Sequence, residues 1–297
     1  MNSKLKTFMM TLVLIPCIFI FAGCNPAQLD QKIKLDTRGR YAETTGSTAK
    51  EALENSNILD VYASGILNFK SSLDITLTLN NQSMQFSMTF FTTTKLINTT
   101  QTKFEQALRI RGTVTDESNI TTSYLISMYT ISITDSEDDN NDSLENYIEY
   151  SITEANNPAE TGKYKIVDQG IEELENIASI PAGTLFEILD QYMPSAPDDD
   201  SWDELWANDD VTYAVASNSR TTKVRITTPE VKDGNTIITP TSNLYYVIEN
   251  NEFVGLQTDK ITLNLPDFLI TADLSLAVFD GTIDMPDFSE YVVYSDD

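Results

Sequence analysis

Residues 73–90 read LDITLTLNNQSMQFSMTF, and this stretch decides the fold. Side chains alternate between the two faces of a strand, so a period of two places a whole apolar set on one face. Two such runs joined by a short polar turn at 80–83 predict an antiparallel hairpin whose apolar side chains share one face. The alternating residues are Leu73, Ile75, Leu77 and Leu79 before the turn, and Met84, Phe86, Met88 and Phe90 after it.

The same strand signal continues on the C-terminal side of this hairpin. Segments rich in Thr, Tyr and Ile favour strands over helices. They predict strands at 104–114, 120–134 and 147–152 and, after a central break, at 211–216, 222–227, 244–249, 253–265 and 268–279. Long strands joined by short loops are typical of an up-and-down antiparallel meander.

Helical periodicity appears in two short segments. Residues 47–54 predict a helix with Ser47 as its N-cap. Between 169 and 193, Pro181 and Gly183 divide two short amphipathic helices, which are expected to pack on the sheet because helices of this length are unstable alone. The predicted fold class is therefore α+β, mainly antiparallel β, with short helices covering the sheet.

The N-terminus carries an export signal. Lys4 and Lys6 precede an apolar run over 8–20, which is too short to span a bilayer as a helix. The run ends in Phe21-Ala22-Gly23-Cys24, which resembles the lipobox of bacterial lipoproteins. The resemblance implies cleavage before Cys24 and acylation of that cysteine. The alternative is an ordinary signal peptide in which Cys24 is incidental.

These features predict three regions. Residues 1–23 are a lipoprotein signal peptide, residues 24–47 are an acylated N-terminus and polar tether, and residues 48–297 form a single β-rich domain with a helical insert near 169–193. The expected location is the extracytoplasmic face of the cell membrane or the outer membrane, with the membrane itself as a partner through lipid on Cys24. Two or more acyl chains anchor a protein stably.

The composition argues against several classes of function. The 297 residues contain no histidine, which removes the commonest general base and the usual Ser-His and Cys-His nucleophile pairs. The formal net charge of -26 disfavours binding to nucleic acid. We therefore expect no enzymatic activity, no cofactor and no nucleic-acid partner.

The order of lipobox, tether, meander, helical insert and second run of strands resembles that of half-barrel lipoproteins and carriers of the LolA and LppX type. It is also similar to surface lipoproteins of Gram-positive bacteria. The resemblance rests on residues 61–114, on Tyr147 and Tyr150 before Gly162-Lys163-Tyr164, and on residues 244–265. It implies a curved sheet or half-barrel that holds a lipid-like ligand on its concave side, with helices as a lid.

The expected lipid-like ligand on the concave side of the sheet suggests candidate ligand-binding residues. Methionine and phenylalanine adapt to flexible apolar ligands. The candidates are Met84, Phe86, Met88 and Phe90 on the hairpin, with Phe186 and Leu189 on the helical insert. The alternative is that these residues form an ordinary packed core, and that the lipoprotein acts through protein–protein contacts or cation binding without a cavity.

One acidic loop imitates a calcium site. Asp138, Asn140 and Asp142 have the spacing of the first ligands of a calcium-binding loop, but Ser143 stands where the loop requires glycine. A solvated hairpin loop is the alternative, and we expect at most weak calcium binding there.

The lipobox gives a direct prediction. Replacement of Cys24 by serine removes the only thiol that could be acylated after cleavage, so the Cys24→Ser protein should move from the membrane fraction to the soluble or secreted fraction. Metabolic labelling with a radioactive fatty acid measures this. Unchanged labelling and membrane association of the variant would contradict the prediction.

Overall fold

The computed structural model describes residues 26–30, 32–58, 68–79, 82–136, 142–155, 157–166, 206–234, 236–264, 268–279 and 281–294. Its α-helices are α1 (Pro26–Leu29) and α2 (Gly46–Glu54), and a 3-10 helix spans Phe288–Glu290. The N-terminal strands are β1 (Ala42–Thr44), β2 (Phe69–Leu79), β3 (Gln82–Leu96), β4 (Gln101–Thr115), β5 (Thr121–Asp135), β6 (Ser143–Glu154) and β7 (Glu160–Ile166). They are followed by β8 (Thr212–Ser217), β9 (Thr221–Thr228), β10 (Val231–Asp233), β11 (Thr236–Thr239), β12 (Ser242–Glu249), β13 (Glu252–Thr258), β14 (Ile261–Asn264), β15 (Phe268–Val278) and β16 (Val292–Val293).

The chain divides into two compact units, which are described separately. Among the described residues, unit 1 comprises 34–58, 206–234, 236–264 and 268–275, and unit 2 comprises 26–30, 32–33, 68–79, 82–136, 142–155, 157–166, 276–279 and 281–294. In unit 2, the strands follow the order β2-β3-β4-β5-β6-β7-β16, antiparallel throughout except that β16 runs parallel to β7. In unit 1, the order is β1-β8-β9-β12-β13, while β14 pairs with β15 and β10 with β11.

The predicted hairpin is confirmed. β2 and β3 pair in the register Leu73↔Met88, Ile75↔Phe86 and Leu77↔Met84, so the two apolar sets share one face. Strands also occur at the other predicted positions, with bounds that differ by a few residues, except that β13 and β14 replace the single strand predicted at 253–265. The alternation persists through strands of 11 to 15 residues because Thr, Ile and Tyr suit a pleated surface.

The predicted α+β class with a layer of covering helices is wrong. About 63% of the described residues lie in strands and about 8% in helices, so the fold is β-rich. The described α-helices, α1 with 4 residues and α2 with 9, are too short to cover long strands. The physical reason is the sustained period of two, which commits most of the chain to sheet. The helices predicted between 169 and 193 lie outside the described residues.

The helix predicted at 47–54 forms, but its cap differs. α2 begins at Gly46, and the Thr45 hydroxyl accepts a hydrogen bond from the Thr48 backbone N–H at 3.3 Å. The predicted cap, Ser47, therefore lies inside the first turn. The helix buries Ala49 and Leu53 and packs on β8 and β9 of unit 1.

The sheet of unit 2 has an apolar face, which carries the alternating apolar set, and an opposite face. The terminal segments, one around Leu29 and one around Ile283, cover part of the opposite face. Phe91 lies on this face because Lys70 is its partner on β2. It packs in a buried cluster with Leu29 of α1 and Ile283 near the C-terminus, and its ring meets that of Phe279 edge-on at 5.0 Å. The start of the predicted tether is thus packed on the sheet.

The C-terminal segment covers the same face further along the sheet. The Phe288 ring stacks on Tyr147 with centroids 3.9 Å apart. The Tyr291 hydroxyl donates to Glu149 Oε2 at 3.1 Å, and its burial raises the pKa of Tyr291. These contacts explain why aromatic residues appear on an otherwise polar face.

Removal of the Phe91 ring tests this packing. The side chain is 2% exposed, so Phe91→Ala should lower the free energy of unfolding by about 3–5 kcal/mol. Ile97→Ala removes an apolar side chain that is 50% exposed and should change it by less than about 0.5 kcal/mol. Urea titration compares the two variants, and equal effects would contradict the packing described for Phe91.

Candidate functional site

The apolar face of unit 2 gathers the ligand-binding residues predicted on the hairpin. Met84, Phe86 and Met88 are 7%, 4% and 4% exposed, and Phe90 is half-buried. All four lie on one face of β3. The other two predicted residues, Phe186 and Leu189, lie outside the described residues.

The strand registers extend this face across β2 to β7. Met88 pairs with Ile110, Ile110 with Ile126, and Ile126 with Tyr150, so one row of apolar or aromatic side chains crosses four strands. Neighbouring rows have the same character and include Leu108, Met128 and Ile148.

Charge is almost absent from this face. Within the described strands β2–β7, the registers place no lysine or arginine on it. The acidic residues on it, Glu154 and Glu160, lie at the ends of β6 and β7. Every basic side chain of these strands points to the opposite face. An anionic group on the apolar face would therefore find no cation from these strands.

One row of this face is polar. Thr92 pairs with Gln106, Gln106 with Thr130, and Thr130 with Asn146. We call these four residues the polar row. Directly opposed residues have Cβ atoms about 4.5–5.5 Å apart, so neighbours in the row face each other closely. The Thr130 hydroxyl donates to Asn146 Oδ1 at 2.7 Å.

The Gln106 side chain has no hydrogen-bond partner among the described residues. Its side chain is fully buried at 0% exposure, and neither Nε2 nor Oε1 has a partner in the described part of the chain. The Thr92 hydroxyl, on a side chain 2% exposed, also has none there. An unsatisfied buried polar group costs about 1–3 kcal/mol, and native structures contain few of them. The polar row is therefore a place where a further hydrogen-bonding group would stabilise the protein.

The sequence reading missed the polar row. One signal was present, because Thr92 directly continues the alternating run Met84, Phe86, Met88, Phe90. A polar residue at a position where the alternation predicts an apolar one shows that the apolar face is interrupted there. Its alignment with Gln106 and Thr130 depends on the register of three strands, and the sequence pattern leaves that register open.

Tyr150 is an ionisable group on the apolar face. It is buried, and its hydroxyl donates to Glu160 Oε1 at 3.3 Å. Burial, together with the neighbouring Tyr164 and Glu160, raises the pKa of Tyr150 to about 12. The phenol is neutral at physiological pH and adds no charge to the apolar face.

The opposite face of unit 2 carries an open groove of about 490 Å³. Asp74 and Arg111 are charged residues of its lining. Both are already paired by the segment that follows α1, since Lys32 binds Asp74 and Asp30 Oδ1 lies 2.7 Å from Arg111 Nη2. Because these charges are neutralised within the protein, the groove offers a ligand no unpaired charge from them.

Asp30 also anchors this segment through a buried arginine. Arg109 is 5% exposed and lies on the opposite face. Its Nε and Nη2 donate to the Ser127 hydroxyl at 3.2 and 3.1 Å, and its Nη1 lies 3.4 Å from Asp30 Oδ1. Asp74, Arg109 and Arg111 of the opposite face thus hold the segment around Asp30.

The described residues give no support to a metal centre. They contain no group of three or more His, Cys, Asp or Glu residues placed to hold a metal ion. Asp142 Oδ1 accepts the Asp135 backbone N–H at 2.7 Å and closes the loop locally. Asp138 and Asn140 lie outside the described residues, so weak calcium binding stays a prediction.

The lipidation site, Cys24, also lies outside the described residues. Among the helices that are described, none is long and apolar enough to cross a membrane. Lipid attachment and membrane association therefore remain predictions from the sequence.

Comparison with known proteins gives distant structural likenesses. No family model matches the chain, and no curated protein matches it significantly. The translocator domain of the autotransporter NalP from Neisseria meningitidis is 9% identical, with a TM-score of 0.23 over 78% of this chain and 96% of that one. A beta-barrel-like DUF1849 protein from Brucella abortus is 10% identical, with a TM-score of 0.20 over 72% and 99%. The beta domain of the Bordetella autotransporter BrkA is 6% identical, with a TM-score of 0.24 over 72% and 99%. These TM-scores are too low to support an argument about function.

The raised pKa of Tyr150 predicts a loss of stability in alkali. An unfolded tyrosine ionises near pH 10, and Tyr150 ionises near pH 12 in the folded protein, so its stabilising contribution is complete below about pH 10 and lost as the pH rises through about 12. Urea unfolding between about pH 9 and pH 12 should therefore show falling stability. Tyr150→Phe should flatten this decline, whereas an identical slope in the variant would contradict the assignment.

Proposed function

We propose that this protein is a membrane-anchored extracytoplasmic lipoprotein that binds a hydrophobic or amphiphilic ligand on the apolar face of unit 2. The observation that supports the ligand is the combination of a continuous apolar surface across β2–β7 with a buried amide at Gln106 that has no partner among the described residues. A packed core of ordinary composition would place an apolar side chain at that position.

The anchor is supported by the lipobox and by the position of the first packed residues. Cys24 precedes Pro26, the first residue of α1, by two positions, and Leu29 is already buried on the sheet. The chain from Cys24 to Leu29 can extend at most roughly 18 Å. Acylation of Cys24 would therefore hold unit 2 close to the membrane surface, where an amphiphile is available.

The choice between the two faces of unit 2 follows from their chemistry. Each buried methylene of a ligand contributes about 0.8 kcal/mol, and the apolar face offers Met, Phe, Leu and Ile side chains for such burial. The groove on the opposite face is open and contains the charged residues Asp74 and Arg111, which are already paired. The apolar face, which has no lysine or arginine on β2–β7, therefore suits an acyl chain better than the groove does.

The full-length Cys24→Ser protein, purified without detergent, provides the test. Mass spectrometry of its organic extract should detect an acyl-chain compound near one per protein, and the stripped protein should bind a fluorescent long-chain acyl probe. Absence of both would contradict the proposed function.

Matched variants locate the binding surface. Phe90→Asp places a charge on the apolar face and should weaken probe binding by at least about tenfold, because an isolated charge is costly in an apolar environment. Leu125→Asp makes the same type of change on the opposite face, since Leu125 pairs with Arg111, and should leave binding nearly unchanged. Circular dichroism checks that both variants keep their strand signal. The reverse order of effects would assign the ligand to the groove.

A further inference from the structure

We infer that the polar row binds the polar group of an uncharged amphiphile, while the neighbouring apolar rows bind its hydrocarbon chain. This inference rests on the proposed function and specifies its ligand class. It is carried by the fully buried Gln106, whose amide has no partner in the described part of the chain, beside the equally unpartnered hydroxyl of Thr92.

The hydrogen-bonding capacity of the row defines what it can recognise. The Gln106 amide offers two N–H donors and one carbonyl acceptor, and the Thr92 hydroxyl can donate or accept. Thr130 and Asn146 already satisfy each other in part, at 2.7 Å. A group with both a donor and an acceptor, such as the hydroxyl and ester of a glycerol ester, would satisfy Gln106 and Thr92 together.

The charge distribution argues for a neutral ligand. Burial of an ionised carboxylate is costly unless a cation or several hydrogen bonds compensate it. The described strands β2–β7 place no lysine or arginine on this face, and the net charge of the protein is -26. A fatty-acid anion would therefore be disfavoured by the site and by the protein as a whole.

The geometry also fits a chain attached to that polar group. Phe90, Met88, Phe86 and Met84 follow Thr92 along the same face of β3. At about 3.4 Å per residue, the distance from Thr92 to Met84 is roughly 27 Å. The polar row thus lies at one end of a long apolar strip, which is the arrangement that an amphiphile with one head and one chain requires.

Two probes with the same hydrocarbon chain test the inference on the full-length Cys24→Ser protein. Monopalmitoylglycerol and palmitic acid are compared by displacement of aminoanthracene at about pH 8, where the fatty acid is largely ionised. The wild-type site should bind the glycerol ester at least about tenfold more tightly.

Variants of the polar row provide the residue-level test. Gln106→Met removes the amide at similar volume and should weaken binding of the glycerol ester by about tenfold while changing that of palmitate by less than about twofold. Thr92→Val should act in the same direction with a smaller effect. Gln85→Met, on the opposite face of β3, is the matched control and should change neither affinity. In the ligand-free protein, Gln106→Met should not lower the urea midpoint, because it removes an unsatisfied group.

The outcomes are distinguishable. Equal affinities of the wild type for both probes, or an unchanged glycerol-ester affinity in Gln106→Met, would overturn the inference and leave the proposed function standing. A lowered urea midpoint in ligand-free Gln106→Met would also overturn it, because the amide would then be satisfied within the protein or by water. If neither probe binds to the wild type, both the inference and the proposed function fail.

Discussion

The strict alternation of side chains along the strands of unit 2 is the constraint on which its structure depends. In strands of up to 15 residues, every second side chain belongs to the same face, so the sequence commits one whole face to apolar residues. A one-residue shift in pairing would move the apolar set to the other face, so burial of that set strongly specifies the register. The observed pairs, such as Met88 with Ile110 and Ile110 with Ile126, satisfy this constraint across β3 to β5.

The same alternation gives the two faces of unit 2 different side chains and different contacts. The opposite face collects the lysines and arginines of these strands and receives the terminal segments. Arg109 and Asp30 show this arrangement, because the buried guanidinium holds the segment that follows α1. The apolar face is left with little charge, and its one buried polar row includes an amide without a described partner. Ligand chemistry is therefore expected on the face that the terminal segments of unit 2 do not use.

The parts of the fold that depend on local pattern could be predicted from the sequence. The hairpin of β2 and β3 follows from the alternation, since each apolar set is recognisable within one strand. β7 was missed because Gly162 and two lysines conceal its pattern. The cap of α2 was placed at Ser47 instead of Thr45 because several hydroxyl residues in succession can each serve as a cap. The local pattern gave the wrong fold class, because the helical spacing of apolar residues between 169 and 193 suggested a layer of helices covering the sheet.

The features that depend on long-range pairing could not be predicted. The packing of Leu29 against Phe91 joins residues far apart in sequence, and the segment around Leu29 is mostly polar. The polar row requires Thr92, Gln106 and Thr130 to align across three strands. That alignment is fixed by the lengths of the strands and loops together, and no single segment reveals it. The run Met84 to Phe90 was correctly placed on one face, while its role in ligand binding remains a proposal.

Methyl-resolved NMR of the methionines tests the central claim most directly. Met84, Met88 and Met128 lie on the apolar face, whereas Met285 packs against the cluster of Phe91 on the opposite face. An amphiphile with a nitroxide spin label on its chain should broaden the methyl signals of Met84, Met88 and Met128 and leave that of Met285 sharp. Broadening of Met285 alone, or no selective broadening at saturating probe, would contradict ligand binding on the apolar face.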